Sequence, residues 1–136
     1  MTTRRSSLNR LLRWLPAVCC MAVIFALSAR SGGELDSWLP WFQELMPQLQ
    51  SFDPVHYAAY FALAFTFAFG FGFRRMNVWR CLLAVLLSVA YGATDEWHQS
   101  FVPRRSPDAA DLLHDGIGAA AAMIAVWLWR LRAVRR

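Results

Sequence analysis

No lysine occurs anywhere in the 136 residues, and all fourteen basic side chains are arginine. Charge of either sign is sparse, at 17% of the chain against 57% hydrophobic residues. With a mean hydropathy of +0.32, the chain is too apolar for an ordinary soluble domain of this length. A net charge of +5 raises nucleic acid as a partner, but the arginines border apolar runs and form no stripe. Anchoring at a membrane surface fits them better, and no nucleic-acid partner is expected. Cysteine is scarce as well: Cys19 and Cys20 lie in the first apolar run and Cys81 in the third. An odd number at lipid depth gives neither a disulfide framework nor metal-ligand spacing. The sequence requires no cofactor. Carboxylates beside histidine could hold a divalent metal, so that point stays open. What remains is a small membrane protein with one domain over residues 1–136.

Four apolar runs are present. A basic head, residues 1–13 with Arg4, Arg5, Arg10 and Arg13, leads into residues 14–29. Extended by the turn that carries Leu11 and Leu12, this run approaches the ~20 residues needed to cross ~30 Å of hydrocarbon. A cleaved signal peptide competes for the same features, given small residues at Ala26, Ser28 and Ala29. An uncleaved anchor is preferred, because its removal would leave three spans and no partner helix. Residues 30–51 are acidic on balance, with Trp38, Trp41, Phe42, Leu45, Met46 and Leu49 at helical spacing. They predict a short amphipathic helix in the interface, broken or kinked by Pro47.

Asp53 as cap and Pro54 at the first helical position open the second span, residues 54–73. Phe61, Phe65, Phe69 and Phe73 form one stripe along it, and Ala64, Ala68 and Gly72 form a small-residue edge for close approach. The third span runs from Trp79 to His98. Ser106 and Pro107 repeat the cap-then-proline start, and the fourth span ends near Arg130 with Gly116, Gly118 and residues 119–122 as its tight-packing face. The expected fold is all-α: a four-transmembrane-helix bundle with a short amphipathic interfacial helix between helices one and two. Tryptophans 14, 79, 97, 127 and 129 read as interface-belt residues. Four spans put the N-terminus, the turn carrying Arg74, Arg75 and Arg80, and the C-terminus on one side, with eleven of the fourteen arginines. By the positive-inside rule that side is cytoplasmic, and the other faces out.

The outward side carries residues 95–115, where five carboxylates, two histidines, two arginines and a glutamine sit between apolar runs. Asp95 and Asp115 fall about one turn below the membrane surface, at 1.5 Å per residue. His56 lies at a comparable depth in the second span and exchanges protons near neutral pH. Asp95 pairs with Gln99, and Asp111 with Asp115, at i and i+4. His56, Asp95, Glu96, Gln99, Asp111 and Asp115 are therefore the catalytic candidates, for acid and base work on a bound anion. The anion would rest on Arg104, Arg105 and the helix N-termini that face the same way. The competing reading is a buried salt-bridge network that only fixes helix packing. His98 and His114 carry less weight: one suits headgroup level, the other a different helix face. A transporter or proton relay is disfavoured, since no polar path continues across the bundle.

The segments DEWHQ at 95–99, FVP at 101–103, Arg105, Ser106, Asp111 and Gly118 resemble the D-E-x-x-Q, F-x-P, G-R and D-x-x-x-N-x-x-G signature of VanZ-like membrane proteins. Asp53, His56 and Tyr60 resemble the same family's D-K-x-x-H-x-x-x-Y element. The likeness covers residues 53–122, the motif-bearing core. It departs in four places: no lysine follows Asp53, the gap to His56 is one residue shorter, Arg104 stands where glycine is usual, and Asp115 replaces the usual asparagine. The resemblance implies a four-helix protein of the bacterial cytoplasmic membrane, in a family whose founding member is linked to low-level teicoplanin resistance. It implies no settled reaction. It adds Asp53, Tyr60 and Ser106 to Arg104 and Arg105 as ligand-binding candidates. The expected partners are membrane lipids, with an anionic headgroup or lipid-linked cell-wall precursor as ligand.

Overall fold

A computed structural model describes residues 9–45, 47 and 53–134. In chain order the helices are α1 (Leu15–Ser28), α2 (Gly32–Leu45), α3 (Asp53–Phe71), α4 (Val78–Gln99) and α5 (Ala109–Val134), with a 3-10 turn at Phe73–Arg75 before α4. Among the described residues there is no strand. Four segments are long and apolar enough to cross a membrane: Asn9–Ser28, Pro54–Phe71, Val78–Gln99 and Ala109–Ala133. These are the four spans expected from the sequence.

The boundaries have local causes. At the end of α3, Gly72 takes φ +86°, which glycine adopts without strain, so the helix stops at Phe71 and not at Phe73. Asn77 caps α4, its side chain accepting from the Arg80 amide at 2.9 Å. The expected cap of the last helix at Ser106 and Pro107 is corrected. α5 begins at Ala109, and Asp108 Oδ1 accepts from the Ala110 amide at 2.8 Å. Asp108 can do this because its backbone already leads into the helix, whereas Pro107 still belongs to the loop.

A helix does occupy the interval between the first two spans, α2, with Pro40 inside it. Of the apolar stripe expected there, the side chains of Phe42, Leu45, Met46 and Leu49 lie outside the described residues. Trp41 and Trp38 are both exposed, and Trp38 also lines a partly open cavity and lies under the Arg30 guanidinium at 5.8 Å.

Lipid-facing helices gain nothing from hiding leucine from hydrocarbon, so they associate through close backbone approach. The buried interior is accordingly small: Ala64, Ala68, Ala84, Ala119 and Ala122 are fully covered. The outer surface carries Leu86, Ile124, Phe65 and Phe69. α3 and α5 form the broadest pair, with Gly118 seated against the Tyr57 backbone. At one pole Trp14 meets Phe71 edge-on at 4.9 Å and Phe73 meets Trp129 at 5.9 Å. The arginine turn and the far end of α5 share that pole. At the other, His98 stacks on Phe25 at 4.3 Å and the Gly32 amide donates to the Pro103 carbonyl at 3.3 Å.

Arg104 explains one departure from the family pattern. Its φ is +60°, a left-handed conformation that costs a side-chain-bearing residue about 1–2 kcal/mol. A Cβ on Gly32 would collide with its carbonyl oxygen, and one on Gly33 would lie 2.8 Å from its Nη1. Arg104 therefore clasps the start of α2. Arg104→Gly is expected to raise stability by about 0.5–1 kcal/mol after the entropy cost of glycine is deducted. Thermal unfolding in detergent measures it, and a lower melting temperature would show that the clasp outweighs the backbone strain.

Candidate functional site

α4 shows how the sequence builds the site. Its buried positions are Ala84, Ser88, Gly92, Asp95, Glu96 and Gln99. One helical stripe is thus small where helices must touch and polar at the end facing the loops. α3 brings His56 and Tyr60 to the same level, and α5 brings Asp111 and Asp115.

The predicted cluster does not form a single layer. It splits into two groups that share His56. The first ties the helices together. His56 Nδ1 donates to Asp115 Oδ1 at 3.0 Å, and its Nε2 lies 3.7 Å from Asp111 Oδ2. Asp111 in turn lies 3.6 Å from His114 Nδ1, and the His114 ring packs on Tyr57 at 4.7 Å. Asp115 is 1% exposed. Gly92 makes room for it, since a Cβ there would stand 2.5 Å from its Oδ2. Glu96 belongs to this group: its Oε2 accepts from the Asp108 amide at 2.8 Å, bridging α4 to the start of α5. At the C-terminal end of its own helix Glu96 has no favourable dipole contact; the positive end it serves is that of the next helix. At the α5 N-terminus, where the sequence places part of an anion site, Glu96 and Asp108 already take the Asp108 and Ala110 amides.

The second group lines a partly open cavity of about 140 Å³ between α1, α2, α3, α4 and the loop. His56, Tyr60, Asp95, Gln99 and Arg105 contribute polar groups to it, and Ile24, Leu27, Val55 and Ala59 give it mainly apolar walls. Gln99 Nε2 donates to Asp95 Oδ2 at 2.9 Å, the i, i+4 pair read from the sequence. The Tyr60 ring lies parallel to His56, with centroids 6.5 Å apart.

Four buried polar atoms of cavity-lining residues have no hydrogen-bond partner: Ser28 Oγ, Tyr60 Oη, Asp95 Oδ1 and Arg105 Nε. Leaving such a group unpaired costs about 1–3 kcal/mol, and more for a charged one. The residues that carry these atoms share one cavity.

Other expected residues fall outside this arrangement. Arg104 faces Gly32 and Gly33, and Ser106 is exposed and does not line the cavity. Asp53 begins α3, but its side chain lies outside the described residues. Sequence reasoning passes over Ser28 and Trp38 in the cavity wall and gives His114 little weight. Ser28 carries no signal beyond being the one hydroxyl in the first span, residues 14–29. Asp108 has one, an acidic residue just before a helix-forming run. Among the described residues, no three His, Cys, Asp or Glu side chains converge closely enough to hold a metal ion.

The family model described as VanZ/LLP1 matches residues 13–130. No curated protein and no solved structure matches the chain.

Proposed function

We propose, given that the chain belongs to the VanZ/LLP1 family of multi-pass membrane proteins, that its cavity binds the headgroup of an anionic envelope lipid or lipid-linked precursor. The observation that carries this is the pairing of apolar walls with Arg105 Nε, Asp95 Oδ1, Tyr60 Oη and Ser28 Oγ, all without protein partners. A lipid is the ligand class that presents an apolar stem and a charged head together. Arg105 supplies the positive charge, in a setting of lower polarity than water where ion pairing is stronger. His56, oriented by Asp115, is the group in the wall suited to moving a proton at neutral pH. The positive-inside rule puts the cavity on the outer face of the bacterial cytoplasmic membrane, with both termini inside. A protein that holds or alters a precursor there changes what teicoplanin meets, which links the reading to the resistance role implied by the resemblance.

The experiment is untargeted lipid mass spectrometry on protein purified from its membrane, beside an Arg105→Ala variant. Arg105 Nε makes no hydrogen bond, so the variant should melt close to the parent. An anionic lipid enriched in the parent and depleted at least about tenfold in the variant is expected, the loss that follows one charge-assisted contact. Equal lipid profiles would refute the reading. The second reading, a packing network without a ligand, is favoured by the His56–Asp115 and Glu96–Asp108 ties across helices. It predicts that Arg105→Ala changes nothing and that only variants of those ties lose stability.

A further inference from the structure

We infer that the headgroup taken by this cavity is a phosphate ester that also carries free hydroxyls, of the glycerol or sugar kind. This rests on the lipid-binding reading above and narrows it.

Ser28, Tyr60 and Asp95 are 4%, 1% and 5% exposed, so bulk water does not satisfy them. Asp95 Oδ2 already takes the Gln99 amide, which leaves Oδ1 as the carboxylate acceptor still to be filled. Arg105 Nε can only donate. The hydroxyls of Ser28 and Tyr60 each donate one hydrogen bond and accept others. A phosphate answers Arg105 but gives Asp95 nothing, and two anions side by side repel. An ammonium answers Asp95 but accepts nothing, so the protons of Ser28 and Tyr60 would be left to the phosphate that Arg105 already holds. A ligand hydroxyl does both: it donates to the carboxylate and accepts from a neighbouring hydroxyl. The complete set of needs is met by a phosphate at Arg105 joined to a hydroxylated unit lying along Ser28, Tyr60 and Asp95.

Size agrees with this. A cavity near 150 Å³ takes a six-membered carbon ring. At about 140 Å³ this one takes a unit of that order, with room against its apolar walls for no more than the root of a lipid's tails. The tails would then lie outside, against the exposed faces of the neighbouring helices. Arg105, on the loop after α4, stands at the rim, while Tyr60 sits one turn further along α3 than His56 and Asp95 one turn deeper along α4 than Gln99. The hydroxylated part is therefore the part that enters.

Three short-chain lipids with identical tails test this on the full chain in detergent: phosphatidic acid, phosphatidylglycerol and phosphatidylethanolamine. Binding is read from the rise in melting temperature with lipid concentration. Phosphatidylglycerol is expected to bind at least about tenfold more tightly than the other two, since a hydrogen bond to a charged group contributes that much or more. Tyr60→Phe and Ser28→Ala each remove an unpartnered hydroxyl and no native hydrogen bond, so they should fold as the parent does. They should bring phosphatidylglycerol down toward phosphatidic acid and leave phosphatidic acid unchanged. Equal binding of all three, or preference for the ethanolamine head, overturns the hydroxyl assignment while keeping the lipid site. Binding of none overturns the site itself, with the unpartnered atoms then served by enclosed water.

Discussion

Gly118→Ala should lower stability by about 3 kcal/mol, the upper end of the usual cost of overpacking. A Cβ at this position would collide with the Tyr57 carbonyl oxygen and stand 3.0 Å from the Tyr57 Cα. Both are backbone atoms of α3, which cannot turn away as a side chain could. α3 and α5 would have to separate along the contact that holds the bundle together, and His56 would move off Asp115 one turn away. Gly116→Ala is the matched control. The nearest atom to its Cβ is Val89 Cγ2 at 3.5 Å, an ordinary contact, and alanine improves helix propensity by about 1 kcal/mol. The two substitutions lie two residues apart and are chemically identical, yet opposite signs are expected. Thermal melts of both purified variants decide it; two equal melting temperatures would mean that the close approach at Gly118 does not hold the bundle.

The second large effect concerns the tie between α3 and α5. His56→Ala removes the Nδ1 donor from Asp115, a carboxylate that is 1% exposed, and should cost about 3 kcal/mol, as breaking a buried pair does. Asp115→Asn keeps an acceptor for the imidazole and removes the charge, so its cost should stay within about 1 kcal/mol. The double variant should then be more stable than His56→Ala alone, because an unpaired buried amide costs less than an unpaired buried carboxylate. This cycle separates the network from the cavity: ligand binding by His56→Ala protein that remains folded would show that the imidazole serves packing. A double variant no better than the single one would show that the Asp115 charge is not what the histidine compensates.

The same division explains how far the site could be read from the letters. Asp95 and Gln99 were legible as a pair because both sit on one helix, where spacing alone fixes proximity. His56 with Asp115 was legible more loosely, from equal depth on two helices. Depth gives the layer but not the rotation of each helix, so the sequence could not say that one His56 nitrogen faces Asp115 and the other Asp111. Ser28 and Trp38 escaped for that reason: their part in the cavity depends on how α1 and α2 turn toward α3. The tie from Glu96 to the Asp108 amide escaped because it crosses a loop whose path no periodicity encodes.

Hydrophobic runs of bilayer length and small residues at helix spacing determined the all-α fold and its four spans, and short polar motifs its family. These signals are local, and a one-dimensional chain records them in full. Tertiary structure alone decided that the ionisable residues form two groups, one binding helices to each other and one lining a cavity with polar atoms left unpaired. The physical reason is that hydrogen bonds act over about 3 Å. Which groups come that close depends on helix rotation and loop path, and both are settled only when all the helices pack at once.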